Sequence, residues 1–333
     1  MWADVLLHLP LFMSRSRYPA LLLISVTVAG VFGQTTKQIP ASELASGAQR
    51  AIKLAQTGHC EEALSGLKRA SQRIADKALK RTAAFAGVRC AMLLSQMDAA
   101  VDFLHVLNQQ FPNDPEVLFL SVHTYSDLST KAAQQLAMTA PNSAEAHKLN
   151  AEALEAQGKW DPAEKEYRFV LQQNPHLPGI HFLLGRLLLS KPNPSPAAAE
   201  DAKKEFQEEL EIDPTNAGAE YVLGELARQE SLWPDAIKHF SRATELDAGF
   251  GDAFLGLGTT LLSAKRFSEA IPPLETAVKL EPRNPGAHYS LATALTRAGR
   301  KQDAEKEFTI HRQMTQKGEA EQEQQAPESQ TPN

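Results

Sequence analysis

Two cysteines and ten histidines are the side chains of this 333-residue chain best suited to metal or thiol chemistry, and their spacing supports little of it. Cys60 and Cys90 stand in no CxxC motif and beside no histidine cluster, so they read as two small buried residues of packed helices. If the chain is exported, an oxidising compartment could instead join them as a disulfide. The histidines include no HExxH pair. His176 and His181 are five apart across a proline-containing turn, a poor geometry for sharing a metal. No GxSxG, P-loop or dinucleotide fingerprint is present, and "GLG" at 256–258 sits inside an apolar helical pattern rather than before a phosphate. The acidic stretch "KKEFQEELEID" at 203–213 mixes lysine and carboxylate at helical spacing, as a solvated face does. These residues predict no enzyme, no cofactor and no metal.

Charge narrows the partners further. The net charge of −6 and the 22% charged fraction disfavour nucleic acid, which usually calls for a basic excess. The stretch from Arg50 to Arg89 is locally basic, with Lys68, Arg69, Arg73, Lys77, Lys80 and Arg81. It is either a patch for an anionic surface or an uneven spread of surface charge.

The N-terminus has another character. After Met13 come Arg15 and Arg17, an apolar run from Tyr18 to Gly33, and small residues at its end. That is the layout of a secretory signal over 1–33, with cleavage expected after Gly33 and Gln34 as the new N-terminus. An uncleaved anchor is the alternative, and membrane contact is expected only in that case. Residues 1–12 fit no signal layout, which makes Met13 a candidate true start. A linker at 34–43 would follow.

The elements that must position any site emerge from a repeat. Pro112, Pro141, Pro175, Pro214 and Pro282 close polar runs at intervals of 29, 34, 39 and 68 residues, the last being two periods of 34. Within the period the pattern is specific. Residues 251–284 place Phe254, Leu257, Gly258 and Leu261 on one helical face, then Ala270, Leu274 and Ala277 on a second. Residues 217–250 repeat it with Leu223, Gly224, Ala236, Phe240 and Ala243, and 178–216 with Leu184, Gly185, Ala202 and Phe206. Each period reads as two antiparallel helices. The glycine or alanine of the first and the alanine of the second mark where they cross, and the aromatic or leucine four residues on fills the same interface. "WDPAEKEYRFVLQQNP" at 160–175 is such a second helix, with Asp161 as the expected N-cap, Pro162 as first helical residue and Pro175 as its stop.

This pattern resembles the tetratricopeptide repeat. The likeness covers residues 44–313 and implies an all-α solenoid of about eight helix-turn-helix units in a right-handed superhelix. The Gln/Glu-rich tail at 314–333 lacks apolar periodicity and reads as disordered, apart from some helix continuing past His311. Eight units are expected at 44–80, 81–114, 115–143, 144–177, 178–216, 217–250, 251–284 and 285–318. The third is short, so one of its helices should lose about a turn. The fifth holds "SKPNPSPAAAED", a lengthened loop. In the seventh, Pro272 should sit in the first turn of the second helix and Pro273 should delay its start.

The resemblance also implies a binding face. Members of the family hold peptides of other proteins in a concave groove lined by first helices, and the fifth residue of each unit is expected to face it. Those residues are Phe85, Phe119, Lys148, Phe182, Tyr221, Leu255 and Tyr289. The ninth residues are Arg89, His123, Glu152, Arg186, Glu225, Thr259 and Thr293. The alternative is that these aromatics only pack against neighbouring helices. The Lys and Asn of a chaperone-type carboxylate clamp are absent from the matching positions. The expectation is therefore a non-catalytic scaffold of the cell envelope or exterior, binding proteins or peptides. The alternatives are a tethered accessory of a secretion, pilus or envelope-synthesis complex, and a regulatory subunit acting on an enzyme in trans.

Overall fold

The computed structural model describes residues 40–192 and 194–325, with side chains as far as Lys317. The signal-like segment, the cleavage point and residues 34–39 lie outside the described residues, as do 326–333. Among the described residues fifteen helices follow one another, and no helix is long and apolar enough to cross a membrane. They divide into two compact units, the first ending at Pro141 and the second beginning at Asn142.

The first unit holds α1 (Ala41–Gln56), α2 (Cys60–Arg73), α3 (Lys77–Leu93), α4 (Met97–Gln110) and α5 (Pro115–Thr139). The second holds α6 (Ala144–Ala156), α7 (Trp160–Gln173), α8 (Ile180–Ser190), α9 (Ala198–Ile212), α10 (Ala217–Gln229), α11 (Trp233–Leu246), α12 (Gly251–Ser263), α13 (Phe267–Leu280), α14 (Pro285–Arg297) and α15 (Lys301–Gln325). Each unit is an α-solenoid of successive helix pairs: α1/α2 and α3/α4 in the first, α6/α7 through α14/α15 in the second.

The crossings follow the residue pattern. A Cβ on Gly185 would come within 2.9 Å of the Phe206 ring, and one on Gly224 within 2.9 Å of Phe240. The facing alanines, among them Ala163, Ala202, Ala236 and Ala270, are fully buried. In six of the seven pairs the turn between the helices holds one residue in the left-handed region, the fifteenth of its unit: Gly58, Ser95, Gly158, Ser231, Lys265 and Gly299 have φ between 55° and 86°. A polar tie recurs as well. His147–Glu166, His181–Glu205, His239–Glu220 and His288–Glu307 join paired helices at 2.5–2.7 Å, which occupies four of the histidines.

Several local expectations are corrected. The third unit is not a shortened pair but one 25-residue helix, α5. Gln134 stands where its second helix would need the small crossing alanine, and residues 128–131 hold neither glycine nor proline, so nothing stops the helix. Asp161 is not an N-cap. The α7 cap is Lys159, and Asp161 sits in the first turn with its carboxylate 2.6 Å from Lys191 Nζ. Both Pro272 and Pro273 lie inside α13, whose start at Phe267 is set by burial of Ala270, Ile271 and Leu274 rather than by the prolines. The tail is helical as far as Gln325, because its Ala, Glu, Gln and Lys are good helix formers. The fifth pair is joined by residues 191–197, where the "SKPNPSP" stretch falls.

Cys60, the first residue of α2, is disulfide-bonded to Cys90 of α3, with Cα atoms 5.0 Å apart. Of the two readings of these cysteines, the structure adopts the bridge. It closes a loop of 30 residues between the first pair and the next helix.

Candidate functional site

In the first unit the named first-helix residues divide by helix. On α3, Phe85 is half-buried under the Arg81 guanidinium, which lies 4.5 Å from the ring centroid. Arg81 also reaches Asp114 at 2.9 Å and Glu116 at 2.6 Å, and Asp114 caps the N-terminus of α5. The hydrogen bond from Arg81, helped by the backbone N–H groups of Glu116 and Val117, holds the Asp114 carboxyl below the usual carboxylate range. One turn along, Arg89 is exposed beside the disulfide, at a shallow hollow of about 260 Å³ that Gln56 and Leu93 also line. On α5, Phe119 and His123 are both exposed and stack edge-on at 4.3 Å.

In the second unit, α6 and α8 carry four candidates and are joined by one ion pair, Arg186–Glu155. Lys148 and Glu152 on α6 are half-buried, as are Phe182 and Arg186 on α8. Phe182 meets the Phe206 ring edge-on at 5.6 Å. Arg186 donates from Nη2 to the Glu155 carboxylate at 2.8 Å, and Tyr167 donates its phenol hydrogen to the same oxygen at 2.8 Å. Burial pushes the Glu155 carboxyl up, Arg186 and Tyr167 pull it back, and neighbouring Glu152 adds to the rise. Burial, and then the Glu155 charge, push the Tyr167 phenol well above its ordinary value. Arg186 Nε is buried and has no hydrogen-bond partner.

Glu155 and Tyr167 were not among the residues named from the sequence. The signal was there in Tyr167, a tyrosine where neighbouring units place phenylalanine or leucine; a buried hydroxyl implies a polar partner. Its identity depends on which turn of α6 comes level with α7, and spacing alone does not give that.

Further along, the candidates are spent on packing. Tyr221 is buried between Phe240 and Phe250, at 5.7 and 4.9 Å, and burial raises its phenol strongly. Glu225 is buried and held by Arg228 at 2.6 Å. Leu255 is half-buried, and the Thr259 and Thr293 hydroxyls donate to carbonyls of their own helices. Tyr289 is exposed, flanked by Phe308 and His311 at 5.9 and 5.3 Å. Within the second unit, the candidates that keep charged groups at a half-buried surface are those on α6 and α8. Among the described residues no group of three or more His, Cys, Asp or Glu could hold a metal ion.

Comparison with known proteins fits this geometry. Residues 148–217 and 255–316 match the family model of the tetratricopeptide repeat. No curated protein matches the chain. Among solved structures, one titled as the crystal structure of MamA is 24% identical, with 51% of this chain and 96% of that chain covered and a TM-score of 0.46. A MamA fragment from Desulfovibrio magneticus RS-1 is 16% identical, covering 52% and 96%, with a TM-score of 0.46. YrrB, described as a TPR protein with an unusual peptide-binding site, is 17% identical, covering 55% and 92%, with a TM-score of 0.47. Helix pairs built on small-residue crossings recur in both units, and over residues 148–217 and 255–316 they are tetratricopeptide repeats.

Proposed function

We propose that this chain is an exported, non-catalytic scaffold that holds an extended peptide of another protein along α6 and α8. Arg186 anchors a carboxylate or carbonyl of the ligand, and Phe182 supplies an apolar contact beside it. The observation that carries this reading is the Arg186 guanidinium. Glu155 fixes it through Nη2 at 2.8 Å, while the side chain keeps 29% of its surface exposed, so part of the guanidinium stays open to an acceptor from a ligand. Lys148 and Glu152, both half-buried on α6, give the same stretch charge of both signs. Export is supported by the signal-like layout before Gln34 and by the Cys60–Cys90 bridge, since disulfides persist in oxidising compartments.

Crosslinking and affinity recovery from the native envelope tests the binding site. Arg186→Ala and Phe182→Ala should each lose the partners recovered by the unaltered chain. Retention of every partner by both variants would remove the α6/α8 assignment. Sequencing the mature N-terminus tests export: Gln34 supports release, and an intact start replaces release with tethering.

A further inference from the structure

The α5 helix leaves uncovered the face that every other first helix buries. The eighth residue of each paired unit, from Ala51 through Val88 and Ala151 to Ala292, lies beneath its own second helix and is buried. The eighth residue of the third unit is Val122, which is 67% exposed. Leu118 and Tyr125, four before it and three after it, complete the same stripe, and Phe119 flanks them; all three are exposed. This face has the form of a seat for a helix, because a helix fills it in each of the pairs.

Two observations say which helix. Phe119 and Tyr125 stand three residues before and three after Val122, so an antiparallel copy turned about Val122 brings Phe119 of one chain level with Tyr125 of the other, twice. From Leu118 to Ser126 there is no Asp, Glu, Lys or Arg, so self-pairing sets no like charges opposite each other at its centre. We propose that α5 packs antiparallel against α5 of a second copy, each supplying the helix that the other's third repeat lacks. The stripe offers roughly 400 Å² per copy, against about 800 Å² per partner in a standard interface. An interface below the standard size makes the dimer a weak, concentration-dependent one.

Sedimentation of the full chain at concentrations from about 1 to about 200 µM tests it. The unaltered protein should shift from monomer to dimer across that range, and Val122→Glu, at an exposed position, should stay monomeric with unchanged far-UV circular dichroism. A thiol-specific crosslinker should join Val122→Cys chains to each other but not Gln135→Cys chains, whose exposed site is on the opposite face of α5. A monomer throughout the range would overturn the proposal. So would a dimer that persists in Val122→Glu, or a monomer whose α5 face binds a helix of a different protein.

Discussion

Tyr167 of α7 donates its phenol hydrogen to Glu155 of α6 at 2.8 Å, and Arg186 of α8 closes on the same oxygen from the next pair. One carboxylate thus joins three helices. The folded chain holds the Tyr167 proton far above the ordinary tyrosine range, while the unfolded chain releases it near pH 10. Between those values the folded state binds more protons, so stability falls as pH rises above about 10. Tyr221 acts in the same direction. Tyr167→Phe should cost about 0.5–1.5 kcal/mol at neutral pH through the lost hydrogen bond, and should make the alkaline decline shallower. Tryptophan fluorescence reads this unit, since Trp160 and Trp233 both lie in it. An unchanged alkaline slope would contradict the assignment.

Glu209 of α9 is fully buried, yet its carboxylate accepts from the Gly179 and Phe182 backbone N–H groups and from Asn216 Nδ2. It caps the start of α8 from a neighbouring helix. Glu209→Ala leaves those donors buried without an acceptor and should cost about 2–4 kcal/mol in chemical denaturation. Glu209→Gln, which keeps one acceptor oxygen, should cost less. Equal losses would mean that one acceptor oxygen does not suffice and that the full carboxylate is what holds the cap.

The Cys60–Cys90 bridge crosslinks a 30-residue loop. Loop-closure entropy for that length corresponds to about 3–4 kcal/mol. Reduction, or Cys60→Ser with Cys90→Ser, should accelerate amide hydrogen exchange in α1 to α4. The tryptophan-monitored transition of the second unit should stay in place. A shift of both together would show that the two units unfold as one.

Pro272 is exposed inside α13, as its sixth residue, where its ring removes a hydrogen bond to the preceding turn. Pro272→Ala should stabilise the second unit by about 1–3 kcal/mol, read as a rise in melting temperature. Pro273 is buried, so Pro273→Ala opens a small cavity and should gain less.

The sequence by itself determined the repeat. The period of 34, the alanine crossings at Ala163, Ala202, Ala236 and Ala270, and the aromatic four residues on are local consequences of helix pairing, and each recurs at fixed spacing. The lengthened link in the fifth pair was equally legible, because proline clusters act on the backbone where they stand. Tertiary structure alone decided what depends on neighbours. Packing of Ala270, Ile271 and Leu274 carried α13 through two prolines, and the level of α6 against α7 gave Tyr167 its partner. Burial withdrew Tyr221 and Glu225 from the face that their repeat positions suggested, while Arg186 kept part of its guanidinium exposed. The third unit lies between these cases. Gln134 in the crossing position was visible, but that α5 would run on as one helix, packed on α4 through Val117, Ser121 and Thr124 with Val122 left exposed, was decided by tertiary structure.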